Sequence, residues 1–234
     1  MKILQMIPAF YPAKAYGGTV EVAYRLSKEL VKKGHEVTVY TSDTLDKYHR
    51  QKGKVSEFDG IKVYYFKNLS NRLAWHRLIF TPSMLPQLSK EIEKFDIIHL
   101  HGPRNFQNIL AHHYSKKYGV PYILHAHGSL PRIMAWQRLK WVYDIFFGYR
   151  LLRDASKVIA LSQVEAEQYE GMGVPEERIA VIPNGIDLSE YGDLPPKGAF
   201  KRKFGIDDDE KIVLYLGRIH ASKGLGLLAD AFSV

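Results

Sequence analysis

The stretch FDIIHLHGPRNFQNILAHHYSKKYGVPYILHAHG, residues 95–128, sets two apolar runs of strand length, FDIIHLHG (95–102) and PYILHAHG (121–128), around a helical segment near 106–117. Strand, crossover helix and second strand form the unit from which parallel sheets are assembled. Each run ends in His-x-His-Gly, so its last residues fall at the strand's carboxyl end, where open parallel sheets bind their ligands.

The same alternation continues in both directions. Upstream lie KILQMIP (2–8), a helix near 19–33, EVTVYTS (36–42), IKVYYF (61–66) and a helix around 82–94. Downstream come a long helical region over 131–153, KVIALS (157–162), a shorter helix and IAVIPNG (179–185). The pattern predicts an α/β, Rossmann-like, doubly wound and mainly parallel sheet with strands buried on both faces. In the first helix, Val22, Ala23, Leu26 and Leu30 recur at helical spacing, Arg25, Lys28, Glu29 and Lys32 form the polar face, and Gly34 supplies the stop.

SEYGDLPPKG (189–198) breaks both helix and strand and reads as a linker. A first domain is therefore expected over 1–190. Residues 191–234 are expected to hold the linker, a buried strand KIVLYLG (211–217) and the opening of a helix in SKGLGLLADAF (222–232). That tail is too short to enclose an α/β core of its own and reads as the beginning of a second, truncated Rossmann-like domain.

Composition narrows the function. At 46% hydrophobic and 25% charged residues, the 234-residue chain has ordinary globular content. It has no cysteine, which excludes thiol catalysis, disulfides and thiolate metal sites and points to a cytoplasmic setting. The opening MKILQMIPAFYP is cut by Pro8 and reads as a first strand rather than a leader. No window reaches the roughly 18–20 apolar residues of a membrane span. The net charge of +8 favours anionic partners or a solubilised surface. No nucleic-acid-binding module or dense basic stripe is present.

Four places after strands carry candidate chemistry. In PAFYPAKAYGGTVE (8–21), Gly17 and Gly18 would let backbone N–H groups approach a phosphate at a helix N-terminus, or form a plain flexible loop. Asp43 follows the second strand as a ribose acid would, but the G-x-G-x-x-G fingerprint that should accompany it is missing. His99 with His101, and His125 with His127, each share one side of their strand. The last of each pair, His101 and His127, lies nearest the ligand edge and can exchange a hydrogen bond with a hydroxyl, whereas His99 and His125 suit buried rings satisfied by the backbone. With no carboxylate paired locally to either histidine, no metal is expected. Finally Arg218, after Gly217, and Lys223 can reach different oxygens of one diphosphate, the alternative being loose surface cations.

Taken in order, YGGTVEVAYRLSKELVKKGHEVTVYT, DIIHLHG, ILHAHGS, VIALS, IPNGID and IVLYLGRIHASKGLGLLADAF resemble the group 1 glycosyltransferases, family 4 by sequence classification. The likeness covers nearly all of the chain. It implies the GT-B architecture, two Rossmann-like domains facing across a cleft, of which this chain carries the N-terminal domain. It also implies transfer of a sugar from a nucleotide-diphosphate donor to an acceptor hydroxyl with retention and no cofactor or obligatory metal. By the same resemblance Gly17, Gly18, Arg218 and Lys223 hold the donor phosphates. His127 and His101 face sugar or acceptor, and His127, Arg218 and Lys223 are catalytic. The paired glutamates of the family's second domain have no counterpart here, so the chain by itself is expected to be inactive.

The resemblance leaves the acceptor open among a glycan, a lipid and a small molecule. PRIMAWQRLKWVYDIFFGYRLLRD (131–154) mixes Trp136, Trp141, Phe146, Phe147 and Tyr149 with Arg132, Arg138, Lys140, Arg150 and Arg153. Such a helix either supplies aromatic residues to the core or meets an anionic membrane at the inner face. An orphan strand over 211–217 would allow self-association. A nonenzymatic nucleotide- or glycan-binding Rossmann-like module is the alternative reading.

Overall fold

A computed structural model describes residues 1–133, 136–217, 219 and 223–232. The chain separates into two compact units, Met1–Gly185 and Ile186–Val234.

In the first unit the elements run β1 (Lys2–Met6), α1 (Gly18–Lys32), β2 (Glu36–Ser42), β3 (Val55–Phe58), β4 (Ile61–Phe66), α2 (Asn71–Trp75), α3 (Met84–Glu91) and β5 (Ile97–His101). There follow α4 (Phe106–Tyr118), β6 (Tyr122–His125), α5 (Gln137–Tyr143), α6 (Tyr149–Asp154), β7 (Lys157–Ala160), α7 (Gln163–Glu170) and β8 (Ile179–Val181). Among the described residues one eight-stranded sheet forms, in the order β3-β4-β2-β1-β5-β6-β7-β8. Every neighbouring pair is parallel except β3 with β4. The chain lays β2 and β4 on one side of β1, then crosses to place β5 on the other. The switch point of this α/β sheet therefore lies between the carboxyl ends of β1 and β5.

Local chemistry explains the elements that frame that point. Asn105 caps α4 by accepting from Asn108 N–H at 2.9 Å, and Gly119 ends it in the left-handed conformation at φ 70°. Leu4, Met6, Ile98, Leu100 and Leu124 bury one face of the sheet against Met84, Leu88, Leu110 and Leu151 from the helices. On the opposite face Val37, Val39, Ile61 and Val63 pack with Ala23 of α1 and with Phe10. Strands buried on both faces leave only the sheet's ends for ligands.

β3 and α2 are elements that the strand-helix pattern passes over. The hairpin had a signal, Asp59-Gly60 between two apolar runs. Both residues take positive φ, 48° and 76°, as a two-residue hairpin turn demands. The helical region expected over 131–153 is described as α5 and α6, joined by a π-helical turn at Asp144–Gly148. A Cβ on Gly148 would meet Asp144 Oδ1 at 2.6 Å, so the turn wraps closely over that carboxylate. Its tryptophans and phenylalanines do not enter the core: Trp141 is 54% and Phe146 60% exposed.

In the second unit α8 (Ala199–Phe204) and α9 (Leu225–Phe232) form. The strand expected over 211–217 does not. Ile212, Val213, Leu214 and Leu216 are exposed, and no strand among the described residues pairs with them. A strand exists through the neighbour that satisfies its backbone, which apolar content cannot replace.

Candidate functional site

Register brings the histidines together. Gln5 of β1 lies opposite His99 of β5, and His101 lies opposite His125 of β6. Paired positions share a face and residues two apart share it again, so Gln5, His99, His101 and His125 line one side of the sheet at the switch point. The rings stack, His99 on His101 with centroids 4.2 Å apart and His125 on His127 at 3.7 Å. His127 Nε2 lies 2.8 Å from His101 Nδ1, and His101 Nε2 lies 2.5 Å from Gln5 Oε1.

Burial keeps the stack neutral. It drops His99 to about 3, His125 to about 4 and His127 to about 2, and holds His101 well below its ordinary value. Repulsion from neighbouring rings adds to the effect at His99, His101 and His127. Such rings hold or exchange a hydrogen bond at neutral pH without carrying charge.

The corner that carries His127 is clamped from two sides. His127 has φ 54°, and its neighbours are fastened by α7: Ala126 N–H donates to Tyr169 Oη at 3.0 Å and Gly128 N–H to Glu165 Oε1 at 2.6 Å. The other Glu165 oxygen accepts from Leu161 N–H at 2.7 Å. From the opposite side Arg104 donates to the carbonyls of Ser129 and Leu130 at 2.9 and 2.7 Å while forking onto Asp144 with two bonds of 2.8 Å. Asp144 is 1% exposed, so this pair joins the corner to the π-helical turn in the interior.

The expected residues are placed as follows. Gly17 caps α1 at φ 90°, and Gly18 is the first residue of that helix. Among the described residues, nothing beyond its neighbours and its own helix backbone would lie within 4 Å of a Cβ on Gly18, so packing there does not require glycine. The loop before them is fixed by Tyr16, whose hydroxyl meets Thr44 Oγ1 at 2.8 Å and whose carbonyl accepts from Arg77 at 2.8 Å. His101 has no exposed surface, so it reaches a ligand only through His127. His99 Nε2 and both ring nitrogens of His125 are buried without a hydrogen-bond partner, contrary to the backbone partners expected. Asp43 accepts from Arg50 at 3.1 Å and from Asn68 N–H at 3.0 Å, which commits it to the fold. Lys223 is exposed in the second unit, and Arg218 lies outside the described residues.

Nitrogens of His99, His101 and His125 lie within 4.8 Å of one another. Imidazole lone pairs lie in the ring plane, however, and stacked rings aim theirs side by side. A tetrahedral ion with bonds of about 2.0–2.1 Å needs them to converge, so these rings do not fit a metal as placed.

Sequence reasoning missed Gln5, Arg104, Asp144 and Glu165. Ser162-x-x-Glu165 is a capping-box pattern and was a readable sign, although the carboxylate reaches one residue beyond the cap. Arg104 and Asp144 lie 40 residues apart, and nothing local pairs them.

Residues 16–190 match the profile of Glycosyltransferase Family 4. The chain is 27% identical over 245 residues to an uncharacterized glycosyltransferase of Methanocaldococcus jannaschii, a match covering 99% of this chain and 59% of the relative. It is 25% identical over 190 residues to the UDP-Gal:alpha-D-GlcNAc-diphosphoundecaprenol alpha-1,3-galactosyltransferase of Escherichia coli, covering 78% of this chain and 47% of that one. Among solved structures, Anabaena HepE in complex with UDP-glucose superposes with a TM-score of 0.66 at 19% identity, over 99% of this chain and 57% of HepE. The chain thus spans about half to six-tenths of the length of the proteins it matches.

Proposed function

Since the chain belongs to glycosyltransferase family 4, we propose that it serves transfer of a sugar from a nucleotide-diphosphate sugar to an acceptor hydroxyl, with retention at the anomeric carbon and no obligatory metal. One observation carries this reading: Gly17 and Gly18, between β1 and the body of α1, and His101, the last residue of β5, with His127, just after β6, lie at the same end of the sheet around its switch point. The open space over Gly18 suits a phosphate at the start of α1, where unpaired N–H groups and the helix dipole favour negative charge. Neutral His127 contacts the sugar or acceptor by hydrogen bonding. The C1–oxygen bond to the diphosphate breaks, the acceptor oxygen bonds to C1, and its proton passes to a leaving-diphosphate oxygen. Arg218 and Lys223 would stabilise the charge that develops on that leaving group, the term that dominates many such reactions.

A radiolabelled-sugar transfer assay on this chain, and on the chain extended to the length of its relatives, tests the proposal. In the extended form, His127→Ala should slow transfer on the order of 10²-fold or more, as loss of a positioned proton-exchanging side chain does. Donor binding without turnover under every condition would favour a nonenzymatic module.

For the acceptor we propose a lipid-linked substrate met at an anionic membrane surface. No described helix is long and apolar enough to cross a membrane. However, Trp141 and Phe146 stand exposed beside exposed Arg138 and Arg150 on the helical segment 137–154, the pairing an interfacial helix needs. The Escherichia coli relative is named as a galactosyltransferase acting on a diphosphoundecaprenol-linked sugar. Vesicle flotation should show binding to anionic and not to neutral vesicles. Trp141→Ser with Phe146→Ser should cut it by roughly 10²-fold, given about 1.5–3 kcal/mol for burying a large apolar side chain. Equal binding by both proteins would overturn the membrane reading.

A further inference from the structure

The histidine stack contains a chain of hydrogen bonds with a direction. With Gln5 oriented so that Oε1 faces His101 and Nε2 is left buried without a partner, the carbonyl oxygen can only accept, and the proton in the 2.5 Å contact belongs to His101 Nε2. A neutral imidazole carries one N–H, which leaves His101 Nδ1 bare and able only to accept. The proton in the 2.8 Å contact between the two rings then belongs to His127 Nε2, and His127 Nδ1 is left with a free lone pair. His101 and Gln5 are fully buried, so no solvent competes for either position.

We propose that Gln5 is a positioning residue that sets the tautomer of His127 through His101, so that His127 presents Nδ1 as a hydrogen-bond acceptor to a hydroxyl. Resting on the glycosyltransferase reading, this assigns the hydroxyl to the acceptor or the donor sugar and requires it to donate its proton. The opposite tautomer would offer Nδ1–H and select an oxygen lone pair instead. The site's preference for a donating group is therefore written two residues inside the fold, on β1, rather than at the surface.

Long-range proton–nitrogen correlation NMR on protein labelled with 15N-histidine reads the tautomer directly, with no substrate present. The wild type should show His127 in the Nε2–H form alone. Gln5→Leu removes the acceptor and should turn that single form into a mixture. A wild-type His127 protonated at Nδ1, or a Gln5→Leu spectrum in a folded protein identical to wild type, overturns the proposal. The wild-type spectrum decides even where Gln5→Leu fails to fold. Absence of transfer activity in the chain extended to the length of its relatives would remove the glycosyltransferase reading and leave the tautomer assignment standing.

Discussion

Acidification from pH 7 to about pH 5 is expected to remove most of the first unit's stability. His99, His125 and His127 are held near 3, 4 and 2 in the fold, against 6.5 when free, and His101 is also held low. Between these values the unfolded chain binds protons that the folded chain refuses. The stability they contribute is thus complete above about pH 6.5 and is lost as pH falls toward the folded values. Each ring gives about 1.4 kcal/mol per pH unit below about 6.5 and four give about 6 per unit, against a total of roughly 5–15 kcal/mol for an ordinary domain. Urea unfolding at pH 7.5, 6 and 5 measures the slope. His125→Phe preserves the stack and removes a ring with no hydrogen-bond partner, so it should flatten the slope by about one proton. A wild-type stability independent of pH over this range would contradict the buried neutral stack.

Removing Arg104 should be the most damaging single change away from the histidines. Arg104→Ala leaves Asp144 buried at 1% exposure with only the longer Arg132 contact at 3.7 Å in place of its fork, and leaves the Ser129 and Leu130 carbonyls without their donor. Breaking a buried pair from one side costs about 3–5 kcal/mol. The double replacement Arg104→Met with Asp144→Leu removes both charges and should recover most of that loss, since an apolar pair of similar volume avoids the desolvation penalty. Denaturant midpoints of the three proteins decide it. A double variant as unstable as Arg104→Ala would locate the cost in the corner carbonyls rather than in the ion pair.

The sheet was readable because its signals are local: the apolar runs at β1, β2 and β4–β7 and the amphipathic spacing of α1 predict the elements within a few residues. β3 escaped because its four residues alternate weakly, although the Asp59-Gly60 turn announced a hairpin. The run over 211–217 shows the opposite failure, since Val213 and Leu214 have strand composition and no ladder to join. At the site, His101 and His127 were visible from their position after strands. Gln5 was not, because it sits inside an apolar strand and acquires its role only when β1 and β5 pair. Arg104 and Glu165 act on a corner that lies 25 and 37 residues away in sequence, and no periodicity reports on such distances.

The crowding of Gly148 against Asp144 has an evolutionary corollary. A side chain at 148 would displace the carboxylate, and a carboxylate without Arg104 would keep only its longer contact to Arg132 at 3.7 Å. Among homologues that keep the π-helical turn, Arg104, Asp144 and Gly148 should accordingly be inherited or discarded as a trio, with intermediate combinations scarce.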